Sequence, residues 1–233
     1  MKALLLCAGF GTRLLPYTKT TPKCLMPVNK KPLLQIWLEQ LNSFGIGPYL
    51  INGHHLSEKL KAYIDNSEFS DQINYVYEEK LLGTAGTLIK NLNYFDNQDG
   101  IFAHADNYCI ADFKEFIEAH YKRPKKCLLT MMTFRPDDFS KCGMLKLDSN
   151  NIMIDYVEKP HETNYQIANG AIYILSKEFL KILKKEYLFA VDFSNEIIPN
   201  FKKYIYTFEN KKILIDIGTQ ENYKKANNIS IKK

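Results

Sequence analysis

The 233-residue sequence lacks the features that mark secreted, membrane-spanning or nucleic-acid-binding proteins. Its five cysteines are odd in number and no two have Cys-x-x-Cys spacing, which argues against a disulfide framework or a structural zinc site. No apolar run approaches the roughly 20 residues of a membrane helix. The net charge is only +5, and the basic residues form short groups rather than one basic face. These absences predict a reduced, cytoplasmic protein without membrane or nucleic-acid partners.

What the sequence has is an ordinary globular composition, 45% hydrophobic and 24% charged. The length suits one substantial core, so we expect a single domain over residues 1–233. The apolar run Ala3–Ala8 is too short for a signal peptide and leads straight into a glycine-rich loop, so it predicts a buried first strand. Helical and strand periodicities then alternate. This alternation predicts an α/β fold with an open, mostly parallel sheet and helices on both faces.

The second half of the chain has a different pattern. Two apolar segments, Gly143–Leu147 and Ile152–Val157, flank an Asp-Ser-Asn-Asn turn and predict a β-hairpin. Later segments predict further helices, among them Phe193–Phe201. In open α/β sheets, ligands bind beyond the carboxyl ends of the strands. This rule selects two places, the glycine-rich loop after the first strand and Asp106 after the fourth.

The loop after the first strand reads AGFGTRL over Ala8–Leu14. Glycines there let backbone N–H groups approach phosphate oxygens, although a tight structural turn accounts for the pattern equally well. A dinucleotide fingerprint would need a third glycine where Leu14 stands, and no Gly-Lys-Ser/Thr of a Walker loop follows. Arg13 and Lys23 share the loop. Together they could hold a triphosphate and stabilise the charge on leaving pyrophosphate.

The opening of the chain continues with further residues in a long, ordered pattern. From Leu6 to Leu33 it resembles the signature of the sugar-1-phosphate nucleotidyltransferases, also called NDP-sugar pyrophosphorylases. Further segments resemble the family's motifs in the same order along the chain: Leu82–Gly86, His104–Asn107, Gly143–Met144, Glu158–Pro160, Asn169–Tyr173 and Asp216–Thr219.

Two segments depart from the family's pattern. His104 and Ala105 stand where the family has Asn-Gly before the aspartate, although the carboxylate of Asp106 is kept. Gly170 and Ala171 are exchanged relative to the family's Asn-Ala-Gly-Ile-Tyr. No hexapeptide repeat follows, so we expect none of the C-terminal β-helix of longer members.

The resemblance implies a Rossmann-like, three-layer α/β/α catalytic domain of the glycosyltransferase-A-like kind. Its nucleotide-binding part would span about residues 1–125 and its sugar-phosphate-binding part about residues 126–233. It would transfer a nucleoside monophosphate from an NTP to a sugar 1-phosphate by a Mg²⁺-dependent in-line displacement and release pyrophosphate. Homodimers are common among such enzymes, and the sequence leaves the oligomeric state open.

The resemblance also implies a role for individual residues. The catalytic residues would be Arg13, Lys23, Asp106 and Asp216, with the two aspartates as the Mg²⁺ ligands. The nucleotide would be bound by Ala8, Gly9, Gly11, Thr12, Gly83 and Thr84. The sugar phosphate would be bound by Gly143, Glu158, Lys159 and Asn169.

Several readings of the function stay open at this level. The segment Leu82–Gly86 resembles most the guanylyltransferases that use mannose or heptose 1-phosphate, so GTP is favoured, with UTP, CTP or dTTP as alternatives. A non-catalytic member could bind nucleotide or sugar phosphate as a regulatory module, although such a module would not need both aspartates. A Rossmann-type oxidoreductase is disfavoured by the missing third glycine and by the absence of an acidic residue at the end of the second strand.

Overall fold

The computed structural model describes residues 1–229. The strands are β1 (Lys2–Leu6), β2 (Pro27–Val28), β3 (Lys31–Pro32), β4 (Tyr49–Gly53), β5 (Ile73–Tyr77), β6 (Gly100–His104), β7 (Asn107–Ile110), β8 (Leu129–Phe134), β9 (Gly143–Leu147), β10 (Met153–Glu158), β11 (Ile167–Leu175), β12 (Ile205–Glu209) and β13 (Ile213–Asp216). The α-helices are α1 (Leu33–Ser43), α2 (Ser57–Asp65), α3 (Gly83–Lys90), α4 (Phe113–Lys122), α5 (Lys177–Glu186) and α6 (Gln220–Asn228).

The chain forms two compact units. Unit 1 contains Met1–Leu81, Ala103–Ala111 and the described residues from Lys212 onward, and unit 2 contains Leu82–Phe102 and Asp112–Lys211. Strand β6 therefore begins in unit 2, while its last two residues belong to unit 1.

A parallel three-stranded arrangement forms the centre of unit 1. Strand β1 pairs in parallel with β4, and β4 pairs in parallel with β5. The middle residues of β1 are fully buried, as the continuous apolar run predicted. Helix α1 buries Leu34, Trp37, Leu38 and Leu41. These residues recur at helical spacing in the sequence and form the stripe of the helix that faces the core.

A two-stranded ribbon in unit 1 was not predicted from the sequence. Strands β7 and β13 pair antiparallel, although they lie far apart along the chain. The indole Nε1 of Trp37 donates to the carbonyl oxygen of Asn107 at 2.8 Å and fixes β7 against α1. Each strand has only four residues, so neither carries a recognisable period of its own.

Unit 2 is built around a mixed sheet. Strand β8 pairs antiparallel with β11 and parallel with β12, and β9 pairs antiparallel with β10 and β11. The predicted hairpin is confirmed as β9–β10. Its turn is fixed by Asp148, whose Oδ1 accepts the backbone N–H groups of Asn150 and Ile152 at 2.8 and 2.9 Å.

The predicted helix over Phe193–Phe201 is replaced by two shorter turns. Phe193–Ile197 forms a π-helical turn and Ile198–Phe201 a 3₁₀ turn. Pro199 lies in the second turn and has no N–H to continue an α-helical ladder, which explains the interruption. Single π-helical turns of this kind recur at functional sites.

The predicted α/β class is confirmed, with helices interleaved among the strands of a central sheet. Over residues 1–229, no helix combines the length and the apolar character needed to cross a membrane.

Candidate active site

The β7–β13 ribbon brings the two predicted metal ligands together. Asp106 directly precedes β7 and Asp216 is the last residue of β13. The antiparallel register places Asp216 opposite Asn107, so both carboxylates stand at the same end of the ribbon. The backbone N–H of Ala105 donates to the carbonyl oxygen of Leu6 at 3.2 Å, which places this end beside the carboxyl end of β1.

Lys23 is held between the two aspartates. Its Nζ donates to Oδ2 of Asp106 at 2.9 Å and to Oδ1 of Asp216 at 2.8 Å, and its side chain is only 6% exposed. Burial by itself lowers the pKa of Lys23, but the two carboxylates outweigh burial and leave that pKa raised. Lys23 is therefore a fixed positive charge throughout the neutral pH range.

Arg13 completes the group from the glycine-rich loop. Its guanidinium donates to Oδ2 of Asp216 at 3.1 Å, and the N–H of Gly218 donates to Oδ1 of the same carboxylate at 2.8 Å. Burial raises the pKa of Asp216, but Lys23, Arg13 and the Gly218 N–H together outweigh burial and lower it. We call Arg13, Lys23, Asp106 and Asp216 the charge cluster. The structure thus brings all four predicted catalytic residues into contact.

The two glycines of the loop differ in whether the fold requires glycine at their position. Gly11 has a φ of +63°, and a Cβ there would lie 2.7 Å from Cγ2 of Thr18. The Thr18 hydroxyl also donates to the Gly11 carbonyl at 2.8 Å, so the turn requires glycine at this position. A Cβ on Gly9 would meet no atom within 4 Å. Packing does not require glycine at Gly9, so its backbone stays open to a ligand.

Two buried polar residues that sequence reasoning missed support the start of this loop. Asn52 accepts the N–H of Cys7 at 2.8 Å and donates to Oε1 of Glu78 at 2.9 Å. Asn52 and Glu78 are each at most 2% exposed. Asn52 lies near the end of β4 and Glu78 directly follows β5, next to the end of β1. The rule that selected the loop, that strand carboxyl ends share an edge, also points to them.

The predicted nucleotide residues of unit 2 are engaged by a neighbouring segment. Gly83 has a φ of +78°, and a Cβ there would clash with the carbonyl oxygen of Val191. The Thr84 hydroxyl accepts the backbone N–H of Phe193 at 2.8 Å, and the Ala85 N–H donates to the Val191 carbonyl at 2.9 Å. The structure thus gives Gly83 and Thr84 a packing role, and their nucleotide contacts stay a prediction.

Three of the four predicted sugar-phosphate residues lie together at one end of the β9–β10 hairpin. The register pairs Gly143 with Glu158, and a Cβ on Gly143 would come 2.7 Å from Oε2 of Glu158. Nζ of Lys159 lies 3.5 Å from Oε1 of Glu158, and its side chain is 63% exposed. Lys159 adopts a φ of +44°, a conformation that few non-glycine residues take. Such backbone geometry is common at ligand-binding positions.

Asn169, the fourth, is fixed in orientation by its own strand. Its Oδ1 accepts the N–H of Ala171 and the hydroxyl of Tyr173, both at 2.9 Å. The group that Asn169 offers to a ligand is therefore its NH₂. Ala171 has a φ of +55° and stands where the family pattern has glycine. Glycine adopts this left-handed backbone without the steric cost of a Cβ.

The charge cluster fits a divalent cation. The oxygens of Asp106 and Asp216 converge on one cation already, the Lys23 ammonium. Among residues 1–229, no group of three His, Cys, Asp or Glu side chains could enclose a metal ion. Two carboxylates suit Mg²⁺, which keeps several waters and takes its other oxygens from phosphates rather than from an all-protein cage.

Comparisons with known proteins match the full chain. The nucleotidyl transferase family profile matches residues 2–233. D-glycero-alpha-D-manno-heptose 1-phosphate guanylyltransferase of Campylobacter jejuni is 28% identical over 225 residues, 96% of this chain and 97% of that protein. Mannose-1-phosphate guanyltransferase of Saccharomyces cerevisiae is 28% identical over 233 residues. The match covers 96% of this chain but 63% of the yeast protein, and 62% of a Sulfolobus acidocaldarius relative.

A solved structure gives the same result for the fold. HddC from Yersinia pseudotuberculosis, crystallised in complex with GMP-PN, has 27% sequence identity and a TM-score of 0.80. The superposition covers 97% of each chain. The predicted Rossmann-like fold is confirmed by this similarity.

Proposed function

This chain belongs to the nucleotidyl transferase family, and we propose that it transfers a guanylyl group from GTP to a sugar 1-phosphate and releases pyrophosphate. The observation that carries the proposal is the charge cluster. A buried lysine between two aspartates, with an arginine alongside, supplies cationic groups for a triphosphate and paired carboxylates for a divalent ion.

The reaction needs no covalent enzyme intermediate. A phosphate oxygen of the sugar 1-phosphate forms a bond to the α-phosphorus of the nucleotide. The bond from that phosphorus to the oxygen bridging the β-phosphate breaks, and its electron pair leaves with pyrophosphate. Arg13, exposed at the rim of the charge cluster, would bind the β- and γ-phosphates. Lys23 would neutralise the α-phosphate and the leaving group, since the two carboxylates keep it charged despite its burial.

Enzymes of this family generally use a divalent metal ion, and we propose Mg²⁺. Asp106 and Asp216 would hold it. When bound, such an ion neutralises phosphoryl oxygens as a Lewis acid. Asp216 is a suitable ligand because its lowered pKa keeps it ionised at every physiological pH.

Four residues of unit 2 would recognise the sugar phosphate: Gly143, Glu158, Lys159 and Asn169. Lys159 is the exposed cation of that group and would bind the 1-phosphate. Glu158 supplies a carboxylate acceptor and Asn169 an NH₂ donor, which are the complementary partners of sugar hydroxyls. The loop backbone at Ala8, Gly9, Gly11 and Thr12, with Gly83 and Thr84, would contact the nucleotide.

GTP and a mannose- or heptose-type 1-phosphate are the favoured pair, because relatives named for these substrates match almost the whole chain. UTP, CTP and dTTP are the alternatives, since base choice depends on a few hydrogen bonds. We further propose one catalytic domain over residues 1–233, acting in the cytoplasm, where NTPs are available, as a homodimer.

A pyrophosphate-release screen tests the proposal. Five NTPs would be crossed with hexose, heptose and amino-sugar 1-phosphates, with Mg²⁺ and with EDTA. We expect one Mg²⁺-dependent pair containing GTP to exceed all others. Pyrophosphate release with another NTP would show that the base is not guanine and would replace GTP by that NTP. No release from any pair, with NTP binding retained in a thermal-shift assay, would overturn the proposal in favour of a binding module.

A further inference from the structure

Two buried tyrosines lie directly behind the predicted sugar-binding side chains. The hydroxyl of Tyr156 donates to Oε2 of Glu158, and the hydroxyl of Tyr173 donates to Oδ1 of Asn169 at 2.9 Å. Tyr156 is 6% exposed and Tyr173 is fully buried. Each polar group that would meet the sugar is therefore held from the protein side by a phenol.

The two phenols hold groups that lie on different strands. Glu158 is the last residue of β10, and Asn169 lies in β11. We call Tyr156 and Tyr173 the hydroxyl array.

Aromatic packing fixes the Tyr173 end of the array. The ring of Tyr173 contacts the rings of Phe102 and Phe193 at centroid distances of 5.9 and 4.9 Å. Aromatic contacts at these distances anchor Tyr173 in the core of unit 2.

The protonation of the phenols gives the array a fixed direction. Burial first, and then the neighbouring Tyr173 and Glu158, raise the pKa of Tyr156 far above neutral pH. Burial likewise raises the pKa of Tyr173. Both phenols therefore remain donors at every working pH. Oε2 of Glu158 and Oδ1 of Asn169 stay occupied, and the sugar meets a carboxylate acceptor and an NH₂ donor whose roles cannot exchange.

We infer that Tyr156 and Tyr173 are positioning residues for the sugar 1-phosphate, acting through Glu158 and Asn169 rather than by contact with the sugar. This inference rests on the proposed function. Preorganised side chains bind a ligand better because they lose less conformational freedom on binding. Losing the array should therefore weaken sugar-phosphate binding without changing the nucleotide contacts.

The test compares Tyr156→Phe and Tyr173→Phe with wild type, using GTP and the best sugar 1-phosphate from the screen. Tyr165→Phe is the matched control, because its hydroxyl donates to Asp155 at 2.7 Å outside the array. We expect Tyr156→Phe to raise the KM for sugar 1-phosphate about tenfold, the effect of losing a hydrogen bond to a charged group. Tyr173→Phe should raise it about threefold, since its hydrogen bond to Asn169 is neutral. The KM for GTP should not change in either variant, and Tyr165→Phe should match wild type.

A double variant separates positioning from general damage. Because Tyr156 acts through Glu158, Tyr156→Phe combined with Glu158→Gln should be no worse than Glu158→Gln alone. The inference would be overturned if the effects of Tyr156→Phe and Glu158→Gln on the KM for sugar 1-phosphate multiplied. It would also be overturned if the KM values for GTP and for sugar 1-phosphate rose equally.

Crystal structures of wild type and Tyr156→Phe without substrates test the inference independently of turnover. We expect the Glu158 carboxylate to move or lose order only in Tyr156→Phe. An unchanged Glu158 would refute the positioning role. An inactive wild type with a displaced Glu158 in the variant would instead refute the proposed function and leave the positioning role standing.

Discussion

The charge cluster of unit 1 and the hydroxyl array of unit 2 differ in charge and in exposure to solvent. The cluster consists of full charges, and Arg13 and Asp216 have side chains that are 60% and 42% exposed. The array consists of two neutral hydroxyls on buried tyrosines. Exposed charges that compensate one another can be redistributed when phosphates and a cation arrive. Buried neutral groups keep their geometry. We therefore expect variants of the cluster to alter kcat and variants of the array to alter KM for the sugar.

The largest expected effect is on the cluster. Asp216→Asn should lower kcat by roughly 10³-fold or more, because it removes a metal ligand and the anionic partner of Lys23 and Arg13. Pyrophosphate release measures turnover, and thermal unfolding checks that the fold is retained. Asp155→Asn is the matched control, since Asp155 pairs with Lys202 at 2.6 Å but lies outside the cluster. Full activity in Asp216→Asn would remove the basis of the metal assignment.

A cation of unit 2 should behave differently. Lys159→Ala should raise the KM for sugar 1-phosphate about tenfold with little change in kcat, because a binding charge is lost rather than one that acts in the transition state. Steady-state kinetics with each substrate varied in turn measures the two constants. Lys146→Ala, an exposed lysine of β9, is the control. A loss confined to kcat would mean that Lys159 acts on the reacting phosphate, and the contrast between the two units would fail.

The pH dependence of stability should also differ between the charge cluster and the hydroxyl array. The pKa of Asp216 is lowered from 3.8, so its ion pairs stabilise the fold above that value and are lost as pH falls through the lower folded pKa. The pKa of Lys23 is raised from 10.5, so its contribution is present below that value and is lost as pH rises through the higher one. The stability difference between wild type and Asp216→Asn should be level near neutrality and shrink below pH 3.8.

The size of this difference should be modest. Because the Asp216 side chain is 42% exposed, solvent screening limits it to about 1 kcal/mol. Urea unfolding between pH 2.5 and 7 measures it. For the array we expect no comparable acid dependence, because its phenols do not titrate there. A difference that grows toward acid would contradict the ion-pair account.

The smallest effect is at a strained residue beside the array. Ala171→Gly should raise the free energy of unfolding by about 0.5–1 kcal/mol, because glycine adopts the φ of +55° without a Cβ penalty. The matched control is Ala168→Gly in the same strand, which should destabilise by a similar amount. Urea unfolding measures both. Equal destabilisation by the two changes would show that Ala171 is not strained.

Much of the charge cluster could be predicted from the sequence because its residues lie in motifs. The glycine-rich loop, the lysine after it and the two aspartates resemble a family signature, and the family is confirmed by the match over residues 2–233. The contact between Asp106 and Asp216 could not be derived from periodicity. It depends on β7 pairing with β13, and two four-residue strands far apart along the chain carry no local signal of their partnership.

The hydroxyl array was harder to predict from the sequence than the charge cluster. Tyr156 and Tyr173 both read as apolar residues of a strand. Their hydrogen bonds to Glu158 and Asn169 depend on how each side chain turns in the folded sheet. No spacing rule contains that information.

If the charge cluster promotes attack on the α-phosphorus, the products of the reaction will show it. We would record ³¹P NMR spectra of the products formed by wild type from the best NTP and sugar 1-phosphate pair with Mg²⁺. We expect an NDP-sugar and an equal amount of pyrophosphate, with neither formed by Asp216→Asn. Nucleoside diphosphate with inorganic phosphate, which marks cleavage between the β- and γ-phosphates, would contradict it.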